Sequence, residues 1–323
     1  MNAETMTTHV PVMPAEALAA LAVRPGGAYV DATLGHAGHA AAILAAAGAS
    51  GRLLGIDRDP AALEFARGRL AHGAGRAVLA RGDHGALGAI ARLHGFEQVD
   101  GVLLDLGINS DQLDTPSRGF SFQRDGPLDM RLDPTSGPGA ADLLARLDAD
   151  ALADLFRRLG EEPRAAAIAR AIVKRRAAAP IATTADLAAL VAAASGWRGG
   201  RRHPATRVFQ ALRMAVNDEL GALARALEDG LALLRPGGRF VTIAFESLSD
   251  RIVKTTFARH AGRLVSLPQG GARWEGLRPA VAFVHRGALA PSPDEVAANA
   301  RARSARLRAV RRLTPDEEAR LVE

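Results

Sequence analysis

Four short apolar runs alternate with helical patterns in the N-terminal third of the chain, and this alternation narrows the fold more than any other feature. Residues 28–32, 52–56, 77–80 and 101–106 read as strands, with helical patterns over 40–47, 60–70 and 86–93 between them. Strands separated by helices form parallel sheets, because each return to the same edge needs a crossover connection. The fourth run is apolar up to Asp105, as a strand covered on both faces should be. Asp59 followed by Pro60 supplies an N-cap and a first-turn proline for the helix after the second strand. The expectation is an α/β protein with a mostly parallel sheet.

The pattern breaks after the fourth strand. Residues 109–139 are rich in Gly, Pro, Asp and Ser and show no periodicity. Residues 140–194 read as Ala-rich helices interrupted at Pro163 and Pro180, and 197–204 as a basic, glycine-containing loop. A long helix is expected over 207–234. The turn Arg235-Pro236-Gly237-Gly238 then leads into a fifth strand over 239–245, so the α/β pattern resumes after a helical insertion. Ser247 and Asp250 have capping-box spacing for a helix over 250–260. Residues 263–267 and 281–286 read as final strands, and 293–323 as helix or disorder. The division is 1–108 and 206–323 for the α/β domain, the latter with a basic tail, and 109–205 for the insertion.

Composition narrows the chemistry. The 323 residues include no cysteine, which excludes disulfides, thiolate metal sites and cysteine nucleophiles. His9, His36 and His39 lack metal-ligand spacing, so no metal is expected. No long apolar stretch free of charge suggests a membrane span, and residues 1–14 do not read as a secretory signal, so the expected location is the cytoplasm. The net charge of +6 favours polyanionic partners. Its distribution says more: residues 299–312 carry six Arg and no acid.

A ligand crevice is written at the first two strand ends. The run Asp31-Ala32-Thr33-Leu34-Gly35-His36-Ala37-Gly38-His39 follows the first strand and opens a helix, whose N-terminus favours electron-rich groups. Asp57, at the tip of the second strand, is placed to accept hydrogen bonds from ribose hydroxyls. The dinucleotide fingerprint is absent: Gly35 and Gly38 are present, but no Gly stands at 37 or 40. That disfavours a nicotinamide dehydrogenase. A methyl donor has no pyrophosphate and carries cationic groups that suit an acid such as Asp31, which could also be a simple turn former. Asp83 is either a cofactor residue or a helix cap, and His84 either flanks an adenine ring or lies in solvent.

Longer motifs then accumulate. They include Asp105-Leu106-Gly107-Ile108-Asn109-Ser110-Asp111-Gln112, Arg118-Gly119-Phe120-Ser121-Phe122, Asp125-Gly126-Pro127-Leu128-Asp129-Met130-Arg131, His203-Pro204-Ala205-Thr206-Arg207 and Phe209-Gln210-Ala211-Leu212-Arg213. With His9-Val10-Pro11-Val12-Met13 and the segment 299–304, they closely resemble the bacterial 16S rRNA (cytosine-N4)-methyltransferase family over nearly the whole chain. The resemblance implies a class I S-adenosylmethionine-dependent methyltransferase fold, Rossmann-like, with a helical domain inserted after the fourth strand. It implies methyl transfer from S-adenosyl-L-methionine to the exocyclic amine of a decoding-centre cytidine. It carries cofactor contacts onto Ala37, Gly38, His39, Asp57, His84, Asp105 and Gln112. Three places depart from the family: Gly35-His36-Ala37-Gly38-His39 stands for Gly-Arg-Gly-Gly-His, His84 for an aromatic, and Phe245-Glu246-Ser247-Leu248-Ser249-Asp250-Arg251 for Phe-His-Ser-Leu-Glu-Asp-Arg.

The reaction needs acceptors against the N–H bonds of a weakly nucleophilic amine, whose lone pair is delocalised into the ring, together with alignment. Asn109 and Ser110, just beyond the fourth strand, and Glu246, at the end of the fifth, are the catalytic candidates; Glu246 could equally be a solvated acid. Phe120 and Phe122 could stack a flipped base or pack a core. Arg198, Arg201, Arg202, His203 and Arg207 could contact phosphates or form a solvated basic loop. The expected partner is 16S rRNA in the small subunit, with a homodimer left open. The competing reading is a catalytically inactive RNA-binding assembly factor on the same fold.

Overall fold

The computed structural model describes residues 11–73, 75–200, 203–275 and 277–321. Nine strands are present among them: β1 (Ala28–Asp31), β2 (Arg52–Asp57), β3 (Ala77–Arg81), β4 (Val99–Asp105), β5 (Leu234–Ala244), β6 (Arg263–Ser266), β7 (Ala272–Glu275), β8 (Val281–Phe283) and β9 (Arg306–Arg312). Seven form one sheet in the order β3-β2-β1-β4-β5-β9-β8, and β6 and β7 form a separate two-stranded ribbon. β1 to β5 run parallel, while β9 is antiparallel to both β5 and β8. This is the mostly parallel, Rossmann-like α/β sheet expected for a class I methyltransferase. The strand order reverses between β1 and β4, and a ligand crevice belongs at the carboxyl ends of strands at such a reversal.

The sheet is buried on both faces, because successive side chains of a strand point to opposite sides. Leu54, Val102, Leu104 and Phe240 join one apolar layer with Leu227, Val253 and Phe257. Leu53, Leu103, Val241 and Ile243 join the other, with Ile43, Leu44 and Leu63. The adjacent pairs Leu53/Leu54 and Leu103/Leu104 thus sit in different layers.

The chain divides into two compact units, residues 1–107 with 220–323 and residues 108–219. The second unit is helical, built from Ala140–Arg146, Ala149–Gly160, Ala165–Arg176, Thr184–Ser195 and Ala205–Val216 around its own core. The sequence reading closes the insertion at 205, whereas the contacts close it at 219. The reason is close packing of helix Ala205–Val216 on helix Ala149–Gly160: a Cβ at Gly160 would lie 2.6 Å from the Arg207 carbonyl oxygen.

The structure corrects three further expectations. The helix expected over 207–234 is two, Ala205–Val216 and Glu219–Leu233, broken where Asp218 takes a positive φ of 47°. Buried Asn217 explains the break: its side-chain oxygen accepts from the Leu132 N–H at 2.8 Å, and its amide donates to the Met130 and Arg213 carbonyls at 2.8 Å. Residues 109–139, without periodicity in the sequence, are pinned by cross-links. Asp125 accepts from the Ala185 N–H, Arg118 donates to the Arg131 and Leu132 carbonyls, and a Cβ on Gly126 would lie 2.0 Å from the Pro116 carbonyl oxygen. Much of the motif that carries the resemblance here is therefore architectural. Finally, the tail contains β9, whose Leu307, Ala309 and Val310 are buried. The helix expected over 250–260 starts earlier, at Ser247 with Glu246 as its N-cap, so Ser247 stands inside the first turn, and the Asp250 carboxylate is gripped by Arg308 of β9 at 2.7 and 2.9 Å.

If the tail closes the sheet, Leu307→Ala should cost about 2–5 kcal/mol through the cavity it leaves. Arg306→Ala, at an exposed position on the same strand, should stay within about 0.5 kcal/mol. Urea midpoints measure both, and equal small effects would place the tail outside the cooperative core.

Candidate cofactor site

The carboxyl ends of β1, β2 and β4 each finish on an aspartate, and short backbone bonds lock the three ends together. Asp31 ends β1 and is 1% exposed; its Oδ1 accepts from the Thr33 N–H at 3.2 Å. The Thr33 hydroxyl oxygen accepts from the Asp105 N–H at 2.6 Å, tying the β1 tip to the β4 tip. Asp57, ending β2, accepts from the Gly35 N–H at 2.8 Å and from the Asp59 N–H at 2.9 Å. Asp57 thus fixes the glycine turn after β1. Each of its oxygens keeps a further lone pair for a ligand hydroxyl.

The turn itself is tight. Ala37 is fully buried with φ 56° and ψ 31°, a left-handed conformation that costs an L-residue roughly 1–2 kcal/mol. Gly38 opens the helix Gly38–Ala47, and a Cβ there would press to 3.0 Å on the Pro11 ring. His39, one residue on, is buried with Nε2 3.5 Å from Asp105 Oδ2. That is a charge–charge contact rather than a short hydrogen bond. The other oxygen, Asp105 Oδ1, is buried and meets no hydrogen-bond donor among the described residues. An orphaned carboxylate oxygen of this kind is costly unless a ligand supplies the donor.

Protonation follows from burial. Desolvation pushes the Asp31 carboxyl up to about 6, against the His39 charge and the Thr33 N–H and with the help of Asp105 and Asp57. Burial likewise raises Asp57, opposed by the Asp59 and Gly35 N–H groups. Burial pushes His39 down, but the Asp105 carboxylate, with Asp31 and Glu295, outweighs it and leaves the imidazole raised. Three acids thus face one imidazole, and the site suits a cation. Its chemistry fits S-adenosyl-L-methionine, which brings a sulfonium and an ammonium.

The remaining candidates divide. Asp83 is a helix cap, accepting from the Gly85 N–H at 2.8 Å and ion-paired with Arg58. His84 follows it past the end of β3, with Nδ1 3.7 Å from Asp83 Oδ1. Glu246 lies just past the end of β5, at the N-cap of helix Ser247–Ala261 and on the edge that Asp105 marks on the neighbouring β4. In the helical unit, Asn109 and Gln112 form a reciprocal capping box around helix Ser110–Asp114: Asn109 Oδ1 accepts from the Gln112 N–H at 2.8 Å, and Gln112 Oε1 from the Asn109 N–H at 3.1 Å.

Phe120 is 6% exposed within that unit's core, so it packs rather than offering a stacking face. Phe122 is half-buried against His203 and Phe209. Arg198 is exposed and Arg207 half-buried, whereas Arg201 and Arg202 lie outside the described residues. Sequence reasoning missed Thr33, whose hydroxyl the motif itself offered, and Trp197, which the basic loop contains.

The sequence profile of the MraW methylase family matches residues 6–313. "Ribosomal RNA small subunit methyltransferase H" of Thermomicrobium roseum is 52% identical over 310 residues, covering 96% of this chain and 95% of that protein. The protein of the same name from Halorhodospira halophila is 52% identical over 313 residues, covering 96% of each. That from Geobacter sulfurreducens is 50% identical over 316 residues, covering 95% of this chain and 99% of its own length.

The raised Asp31 makes folding stability depend on pH. The unfolded carboxyl loses its proton near pH 4 and the folded one near 6, so the folded state binds more protons between them and stability falls as pH rises through that window. The loss is on the order of 3 kcal/mol for a group this buried. Asp31→Asn should flatten that part of the Tm profile; parallel profiles for the two proteins would contradict the assignment.

Proposed function

The chain belongs to the MraW methylase family, with S-adenosyl-L-methionine as its cofactor, and from that premise we propose that it methylates the exocyclic N4 amine of a decoding-centre cytidine in 16S rRNA. The observation that carries the rRNA assignment is identity of about half the residues, almost end to end, to relatives named for small-subunit rRNA methylation. The N4 atom rests on the motif resemblance and on the chemistry of the candidate residues. The same reading puts the enzyme in the cytoplasm, acting on the small ribosomal subunit.

When bound, S-adenosyl-L-methionine supplies an electrophilic methyl group on a sulfonium. Asp57 would hold the ribose hydroxyls, its orientation already fixed by the Gly35 and Asp59 N–H groups. Asp105 would accept a donor from the cofactor at Oδ1, with His39 lying on its Oδ2 side. Ala37, Gly38 and the start of their helix would approach the cofactor through backbone, and His84 would border the adenine.

On the substrate side, the role of the protein is alignment and acceptance of hydrogen bonds. A cytosine amine becomes nucleophilic as its nitrogen pyramidalises, and acceptors against its N–H bonds favour that geometry. Asn109 and Ser110, on the segment leading away from Asp105, are the acceptors we assign. Glu246, at the carboxyl edge of β5, would receive the released proton; as a carboxylate it can take the place of the imidazole that the family usually carries there. No covalent intermediate is needed, which agrees with a chain lacking cysteine.

The test is transfer itself. Purified protein, S-adenosyl-L-methionine and small subunits lacking the modification should yield N4-methylcytidine at one site by nucleoside mass spectrometry. Asp105→Asn should weaken cofactor binding by roughly ten- to a hundredfold, the loss of a charged hydrogen bond. A methyl group on another atom would overturn the assignment of the N4 amine. Absence of product from a protein that binds the cofactor would point instead to a non-catalytic assembly role.

A further inference from the structure

Among the described residues, Trp197 is the large apolar side chain that the helical unit leaves exposed, at 39%. It is not carried on a slack loop. Helix Thr184–Ser195 ends at Gly196 in the left-handed conformation, and the Trp197 N–H returns to the Ala192 carbonyl oxygen at 3.1 Å. That six-to-one bond is the mark of a Schellman cap, which fixes the backbone at Trp197.

The indole is also buttressed from within. Phe209 is 4% exposed in the core of the unit. Phe122 meets it edge-on at 5.0 Å, His203 tilts over Phe122 at 4.9 Å, and Trp197 meets His203 edge-on at 4.5 Å. His203 is itself held, its Nδ1 accepting from the Ala205 N–H at 3.2 Å. The rings therefore step outward from core to surface, with aromatic geometries that each add modest stability. The exposed end of the column is the widest π surface of the four. Arg198, exposed, adjoins it in sequence, and Arg207 lies on the helix that follows His203.

We propose that Trp197 is a stacking platform for an unpaired base of the RNA substrate, with Arg198 and Arg207 serving the neighbouring phosphates. A rigid aromatic beside guanidinium groups is the combination that binds single-stranded nucleic acid with little sequence preference. The inference rests on the rRNA reading above and adds to it a residue that none of the quoted motifs contains. It also gives Phe122 and His203 a function distinct from direct contact: they position the indole.

Trp197 and Trp274 are the two tryptophans of the chain, so Trp274→Phe leaves Trp197 as the sole indole emitter. Titrating that variant with a short single-stranded oligocytidylate should quench its fluorescence. Trp197→Ala should weaken binding of the oligonucleotide roughly tenfold, the usual effect of losing one stacked base, while Trp197→Phe keeps most of the affinity. S-adenosyl-L-methionine affinity should stay the same in both variants, which separates lost stacking from lost folding. Oligonucleotide binding without quenching, with Trp197→Ala binding as tightly as the parent, would overturn the proposal. So would a change confined to self-association in sedimentation, which would assign the ring to a contact between copies. Quenching by a protein that methylates no rRNA would sink the functional reading and leave this one standing; methylation without quenching would do the reverse.

Discussion

Three buried or half-buried aspartates at neighbouring strand ends should repel one another, and the cofactor end of the sheet is organised around that repulsion. The Asp31 and Asp57 carboxylates accept from backbone N–H groups, and the Asp105 carboxylate faces the single imidazole of His39. These partners offset the charge only in part. Asp31 keeps a proton to about pH 6, and Asp105 Oδ1 has no donor among the described residues. A structure that carries such a cost at one edge, with apolar layers filling both faces of the rest of the sheet, is arranged for a ligand that brings positive charge. S-adenosyl-L-methionine, bound at this edge as proposed, would supply that charge through its sulfonium and ammonium.

The topology makes the cluster possible. The strand order reverses between β1 and β4, so the chain leaves the sheet in opposite directions from adjacent strand ends and a crevice opens there. The left-handed Ala37 and the close contact of Gly38 with Pro11 then fold the turn down at the start of the helix Gly38–Ala47. Strain at Ala37, where the related family has glycine, is accepted because the surrounding burial allows that backbone no other course.

The parallel strands were legible because buried runs such as 101–104 carry no polar interruption, and the place of Asp57 at a strand end because it directly follows such a run. The strand β9 was hidden by its own chemistry. In Arg306-Leu307-Arg308-Ala309-Val310-Arg311 the arginines look like a nucleic-acid tail, yet Arg308 and Arg311 are neutralised by Asp250 and Glu317 from sequence-distant and neighbouring positions. The break at Asn217 was equally unreadable, since two of its partners, the Leu132 N–H and the Met130 carbonyl, lie 85 and 87 residues away. Phe120 and Phe122 look alike in sequence; only packing distinguishes a core ring from one that props up Trp197. The reciprocal cap of Asn109 and Gln112 has capping-box spacing in the sequence, within a segment whose other residues point to chemistry.

The claim that the strand ends hold unspent negative charge for a cation has a direct calorimetric test. Binding of S-adenosyl-L-methionine near pH 6 should favour the ionised form of Asp31 and expel protons, so the observed enthalpy should vary with the ionisation heat of the buffer. Proton release that is clear in the parent protein and smaller in Asp31→Asn is the predicted result. Enthalpies that are independent of buffer in both proteins would contradict the account.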